Sequence, residues 1–445
     1  MNHVFHRAPL SPLPYAVGGD GIYVIDDKGN RYIDASCGAA VSCLGHSDKT
    51  VQAAIHSQID KLAFVHSGFF TTQVMEDLGD RLASLAPKGL DRVYFVSGGS
   101  EAMEAALKLA RQYFLESGQP ERTQIIAREQ SYHGNTLGAL ATGGNMLRRE
   151  PFKPLLAGNV SHISACYSYR HQKNGESLEE YGLRAAQELE DEILKVGENK
   201  VAAFVAEPVV GATAGALVAA PGYFKRVREI CDKYGVLLIL DEVMCGMGRT
   251  GTLFACEQEG ITPDMLTTAK GLGAGYQAIG ALLVSNNIFE TVVKGSGFFQ
   301  HGHTYMGHAT ACAASMAVLD VIERDNLLAN VQKQGKLLDK LLHERFDGNP
   351  HVGDIRGRGL FQAIELVADR ASKEPFDPKL KLHARIKNNA MANFMMCYPM
   401  GGTADGQRGD HVLIAPPYIT NEEQIAEIVN RLGKAVEDAI TEIKK

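Results

Sequence analysis

Val236-Leu237-Leu238-Ile239-Leu240-Asp241-Glu242 is the stretch that decides the fold of this 445-residue chain. Five aliphatic residues with no polar interruption suit a strand buried on both faces, the habit of parallel sheets covered by helices. The run then ends in acid. A carboxylate at the end of a buried strand is costly unless a cation or donor meets it. In open α/β sheets, ligands gather at that carboxyl edge. At this point Asp241 stays open between a helix cap or local ion pair and a ligand-facing acid.

Working outward, Val93–Val96, Ile125–Ala127, Val201–Ala206 and Ile279–Val284 repeat the pattern of short aliphatic runs and predict further strands. Amphipathic stretches lie between them. Val51, Ile55, Ile59 and Leu62 share one helical face, as do Ala102, Ala105, Ala106, Leu109 and Tyr113. Residues Tyr223–Tyr234 predict a third helix, closed by Gly235 in a left-handed cap. Alternation of this kind predicts an α/β fold with a mostly parallel sheet. Residues 21–34 predict a hairpin turning at Asp27-Lys28-Gly29-Asn30. Near the C-terminus, Thr420 and Glu423 predict a capping box ahead of a long helix with Ile425, Ile428, Leu432, Val436 and Ile440 on one face. We therefore expect a large α/β domain over 61–320. A smaller α+β domain would be built from both termini, 1–60 and 321–445.

Composition narrows the function. A formal charge of −7 and a pI near 6.1 argue against nucleic acid or an anionic membrane as the main partner. The eight cysteines are scattered with no CxxC pair, which predicts free thiols in a reducing, cytoplasmic setting. Met1–Leu13 has no apolar core of a secretion signal, and no apolar run approaches the ~20 residues of a membrane span.

Twenty-nine residues after Asp241 comes Ala269-Lys270-Gly271-Leu272-Gly273. A lone Lys-Gly pair is usually surface. A lysine whose proton affinity is depressed can instead form a Schiff base, and an imine lysine together with an acid for a ring nitrogen is what pyridoxal 5′-phosphate (PLP) chemistry requires. Phe95-Val96-Ser97-Gly98-Gly99-Ser100-Glu101 leaves a strand, turns through glycines and opens a helix. That is either a phosphate-binding helix start or a plain turn with Ser100 as N-cap. Tyr132, in Ser131-Tyr132-His133-Gly134, could stack on a flat ring or fill the core. The histidines of His301-Gly-His303-Thr304-Tyr-Met-Gly-His308 lack an acid or thiol alongside, which weighs against a metal site.

These segments, taken in order with AEPVVG (206–211), LILDEVMCGMGRTG (238–251) and GRGLFQAIEL (357–366), resemble the class III aminotransferases, PLP enzymes of fold type I. The resemblance spans nearly the whole chain. It implies that Lys270 holds the cofactor as a Schiff base and moves a proton, and that Asp241 pairs with the ring nitrogen. It implies that Gly99 and Ser100 hold the phosphate, and that Tyr132 and Val243 cover the two ring faces, with His133 in the same pocket. Glu207 would position this network. Thr304 would reach the phosphate of a neighbouring subunit, making the enzyme a homodimer or a dimer of dimers with shared sites.

Departures from the family refine the expectation. Relatives acting on ornithine or 4-aminobutyrate carry a second glutamate at the position of Ala212, where it gates an arginine. Arg408, in Asp405-Gly-Gln-Arg408-Gly-Asp410, resembles the mobile arginine of pyruvate-using members, although a surface arginine beside Asp410 is the alternative. Ala39-Ala40 stands where some amine transaminases have a bulky aromatic, which implies a roomier pocket, and Ala278 replaces a frequent proline. The expected activity is ping-pong transfer of nitrogen from a primary amine or amino acid to a 2-oxo acid, pyruvate by preference. The alternatives are an amino-acid racemase or epimerase, or a decarboxylating transaminase, on the same fold. A nucleotide-binding oxidoreductase using the glycine loops is a further rival, but Gly271-Leu-Gly273-Ala-Gly275 is a poor dinucleotide fingerprint.

Overall fold

A computed structural model describes residues 3–444; Met1, Asn2 and Lys445 lie outside the described residues. Seven strands form the central sheet: β1 (Arg92–Val96), β2 (Gln124–Arg128), β3 (Val160–Ile163), β4 (Val201–Ala206), β5 (Leu237–Asp241), β6 (Met265–Thr268) and β7 (Gly280–Val284). Their order across the sheet is β1-β7-β6-β5-β4-β2-β3. All pairings are parallel except those of β7, which runs against both β6 and β1. The aliphatic runs read from the sequence are strands, and every residue of β4 and β5 is buried. β3 and the Met265-Leu266 strand are not evident in the amino-acid sequence. Both segments are four residues long, and β3 is half polar, so neither gives a clear periodicity.

Alternation along β5 divides its side chains between two layers. Leu237 and Ile239 pack beneath the helix Gly99–Glu116, through Ala105, Ala106 and Leu109. Leu238 and Leu240 point the other way, into the layer formed by the helices Leu178–Val196 and Tyr223–Tyr234. Gly235 closes the latter helix at φ 61°, the left-handed cap expected from its position.

The hairpin at the N-terminal end is present, with Tyr23–Asp26 antiparallel to Arg31–Asp34 and Gly29 at φ 81° in the turn. Ile22 and Ile33 share one core with Met395, Ile425, Ile428 and Leu432, so residues near both ends of the chain pack together. A second sheet, Val352–Arg358, Phe361–Leu366, Asp410–Ile414 and Tyr398–Gly401, supports this core.

Two helical expectations need correction. The C-terminal helix is capped by Asn421 and Gln424, not by Thr420 and Glu423. The Asn421 side chain accepts from the Gln424 N–H at 2.9 Å, and the Gln424 side chain returns the bond at 3.0 Å. Thr420 is unavailable because its buried hydroxyl donates to the Pro417 carbonyl at 2.6 Å. In the helix Lys49–Lys61, Val51 is buried and Ile55 packs against the same core, whereas Ile59 and Leu62 are 52% and 41% exposed, so only the first half of the apolar stripe faces the core. Among the described residues no helix is long and apolar enough to cross a membrane.

Candidate active site

The carboxyl ends of β1, β2, β4, β5 and β6 converge on one cavity of about 250 Å³. β5 delivers Asp241. Its neighbour β6 runs parallel in register, with Thr267 beside Asp241, and three residues later the chain presents Lys270. Lys270 is at φ 45°, a left-handed conformation that costs a lysine free energy and is held in place by its surroundings.

Every oxygen of the Asp241 carboxylate is directed. Oδ1 accepts from the Val243 N–H at 3.0 Å and the Thr267 hydroxyl at 3.3 Å. Oδ2 lies 2.8 Å from Nδ1 of His133, whose side chain is fully buried and whose Nε2 has no hydrogen-bond partner. Thr267 has no motif in the sequence to mark it; the only signal is the pair of β-branched threonines in the short Met-Leu-Thr-Thr strand.

Glu207 follows β4 and is buried. It accepts from the Tyr132 N–H and the Gly211 N–H, each at 3.0 Å, while the Arg128 guanidinium holds its carbonyl. Burial, more than any neighbour, raises its proton affinity above the usual carboxylate range. Burial likewise lowers the proton affinity of the Lys270 amine, against the opposing pull of Asp241 and Glu207. A lowered lysine is the better nucleophile.

The opposite wall is the start of the helix Gly99–Glu116. Gly98 is extended, and no side chain caps the helix. Ser100 is therefore not the N-cap: its hydroxyl donates to Asn135 Oδ1 at 3.0 Å and accepts the Asn135 N–H at 3.1 Å. The uncapped N–H groups and the dipole favour an anion. A methyl on Gly99 would stand 2.6 Å from Val243 Cγ1, and one on Gly134 2.7 Å from Ser100 Oγ, so the glycines let backbone approach closely.

Gly99, Ser100, Tyr132, His133, Glu207, Asp241, Val243 and Lys270 thus all line one cavity. Val41, Ala212, Met244 and Ala278 are among its other lining residues. Two expected site residues are elsewhere in this chain. Thr304 is exposed on the loop after His301 and does not line the cavity. Arg408 is half exposed and pairs with Asp405 at 2.8 Å and Glu374 at 3.2 Å, while Asp410 pairs with His383 instead. The donor set fits a flat anionic aldehyde: an anion-binding helix start, an amine, and a directed carboxylate across one small space.

Comparison with known proteins agrees. Residues 9–436 match the family model described as aminotransferase class-III. An uncharacterized aminotransferase of Schizosaccharomyces pombe is 47% identical over 99% of this chain and 96% of its own length. The crystal structure of an (S)-enantioselective omega-transaminase from Thermomicrobium roseum superposes with a TM-score of 0.92 at 35% identity, covering 98% of this chain and 96% of that one. The omega transaminase from Pseudomonas jessenii, in complex with PMP, gives 0.92 at 33% identity, covering 99% and 96%. The chain belongs to the class III aminotransferases, which are PLP-dependent enzymes of fold type I.

Proposed function

We propose that this aminotransferase moves an amino group from a primary amine or amino acid to a 2-oxo acid, with pyruvate as preferred acceptor, in two half-reactions at the one cavity. The observation that carries this reading is the placement of Asp241 and Lys270 at the ends of adjacent strands, in a cavity that an uncapped helix start also lines. When bound, PLP supplies the electron sink that stabilises negative charge on the substrate Cα. Lys270 Nζ, made less basic by burial, would take the proton from that Cα and return it. Asp241, fixed by His133, Thr267 and Val243, holds negative charge where the ring nitrogen would sit. Gly99 and Ser100 would hold its phosphate and Tyr132 and Val243 would cover its ring, while Glu207 keeps the Tyr132 backbone in place.

The preference for a small acceptor rests on Ala212. It lines the cavity and offers no acid to gate a second carboxylate. In the role of carboxylate partner, Arg408 must first leave Asp405 and Glu374. We read the assembly as a homodimer or dimer of dimers in which Thr304 reaches the neighbouring subunit's phosphate site. Phe69, Phe70 and Tyr305, at 82%, 68% and 59% exposed, give apolar surface for such a contact. A cytoplasmic setting suits the free cysteines, seven of them buried.

The test is a half-reaction screen. Amines and amino acids are mixed with the PLP-loaded enzyme, and conversion to the amine form of the cofactor is followed spectrally. Pyruvate and 2-oxoglutarate are then compared as acceptors. Racemised alanine or released CO₂ without nitrogen transfer would overturn the proposal.

A further inference from the structure

After β2 the chain turns toward the cavity through a residue in a conformation that side chains rarely adopt. Gln130 has φ 56°, in the left-handed region, and stands two residues before Tyr132 and three before His133, both of which line the cavity. Such a conformation persists only where the surroundings hold it.

What holds it is the side chain. Gln130 is buried, and both ends of its amide are used. Nε2 donates to the Gly402 carbonyl at 2.6 Å and to the Thr403 carbonyl at 2.8 Å, and Oε1 accepts from Asn145 Nδ2 at 3.2 Å. Two carbonyls facing one end of the amide fix that end as the donor. The Gln130 main-chain carbonyl accepts from the buried Thr213 hydroxyl. These bonds reach three separate segments. Gly402 and Thr403 begin the loop between two strands of the second sheet, Tyr398–Gly401 and Asp410–Ile414. Asn145 lies past the helix Leu137–Thr142. Thr213 belongs to the loop whose Gly211 N–H holds Glu207.

Beyond this clamp the chain meets the site twice. The Tyr132 N–H reaches Glu207 at 3.0 Å, and Nδ1 of His133 lies 2.8 Å from Asp241. Both contacts depend on the direction in which the chain leaves residue 130.

We propose that Gln130 is a positioning residue for the cofactor site. Its amide holds the left-handed turn that carries the Tyr132 N–H to Glu207 and the His133 ring to Asp241, and ties that turn to the second sheet. Gln130 does not itself line the cavity. The proposal rests on the cofactor reading above. It has a distinctive consequence: glycine, which adopts positive φ without help, should replace Gln130 better than a residue that needs the clamp.

The experiment compares the full-length wild type with Gln130→Gly, Gln130→Asn and Gln130→Ala. None of the three side chains can reach both the Gly402 and Thr403 carbonyls, and tolerance of the left-handed conformation falls in the order given. The PLP dissociation constant is read by equilibrium dialysis. The hydrogen-bonded proton between His133 and Asp241 is read by its downfield NMR resonance, identified by its loss in His133→Leu. Gln130→Ala should bind PLP about fivefold to thirtyfold more weakly, the cost of a left-handed backbone, and lose the resonance. Gln130→Gly should stay close to wild type and keep it, with Gln130→Asn between. Affinity that follows hydrogen-bonding capacity instead, with Asn best and Gly no better than Ala, overturns the proposal, as does wild-type affinity in all three. Where Gln130→Ala does not fold, the other two decide, and a Gly variant weaker than the Asn variant overturns it. A wild type that binds no PLP refutes the cofactor reading, and the resonance alone then decides whether Gln130 positions His133.

Discussion

Nδ1 of His133 stands 2.8 Å from Oδ2 of Asp241 at the floor of the cavity, and the imidazole has no exposure to solvent. A buried donor aimed at a buried carboxylate fixes its orientation. Substituting Asp241→Asn keeps the shape but removes the charge. It should retain the cofactor and lower single-turnover proton transfer by about a hundredfold or more, on the scale of general acid–base effects. His133→Leu should lower it less, because the Val243 N–H and the Thr267 hydroxyl still hold Oδ1. Near-normal rates in Asp241→Asn, measured by stopped-flow absorbance, would remove Asp241 from its assigned role.

Lys270→Ala should abolish turnover and the visible absorbance of the bound cofactor together. The amine is the nucleophile for attachment and the base for the substrate proton, and no other lysine lines the cavity. An active variant with the wild-type visible band would refute the assignment.

Glu242, next to Asp241, faces away from the site and accepts the Ala255 N–H at 2.6 Å and the Cys256 N–H at 2.8 Å. Burial raises its pKa from 4.5 to about 7. The folded state thus binds a proton that the unfolded chain releases near 4.5. Its contribution to stability is full below that pH and is lost as pH rises toward 7. Glu242→Gln cannot titrate. The thermal midpoint of the variant relative to wild type should therefore shift upward between pH 5 and pH 8. A difference that stays flat or falls across that window, followed by scanning calorimetry, contradicts the buried-acid argument.

Arg356 joins the second sheet to the loop that seats Glu207. It pairs with Asp354 and Glu365 at 2.6 Å and donates to the Gly215 carbonyl at 2.8 Å, with its side chain 9% exposed. Gly215 in turn bonds Gly211, whose N–H holds Glu207. Arg356→Met leaves Asp354 and part of Glu365 unanswered, which should cost about 3–5 kcal/mol in urea unfolding. A loss under 1 kcal/mol would mean that Arg170 alone satisfies Glu365.

Much of this site was legible in the chain because strand and chemistry share the same letters. A five-residue aliphatic run ending in Asp241 fixes both a buried strand and where its acid emerges. The lysine and the glycine turn then read as partners of that acid. What escaped detection depended on tertiary choice. Thr420 looks like a cap until its hydroxyl is seen to serve Pro417. Ser100 looks like a cap until it is seen to serve Asn135. Ile59 and Leu62 form an apolar stripe that the single chain leaves exposed.

Gly99 offers a test of the cavity wall that involves no charge. Its missing side chain is what lets the helix start approach Val243, since a Cβ there would lie 2.6 Å from Val243 Cγ1 and 2.9 Å from Cγ2. Those contacts fall on a branched side chain held by the turn after β5, so it cannot simply swing aside. Gly99→Ala should push the helix start and Val243 apart at a cost of about 1–3 kcal/mol, and cofactor affinity should fall with it, read by equilibrium dialysis. Val243→Ala alone removes two methyls and should loosen the ring contact only modestly. Combining the two removes the clash, so the double variant should bind the cofactor more tightly than Gly99→Ala, a coupling that additive effects cannot produce. If the double variant is instead as weak as the two losses summed, Gly99 acts on the cofactor without Val243, and the wall is not built as the geometry implies.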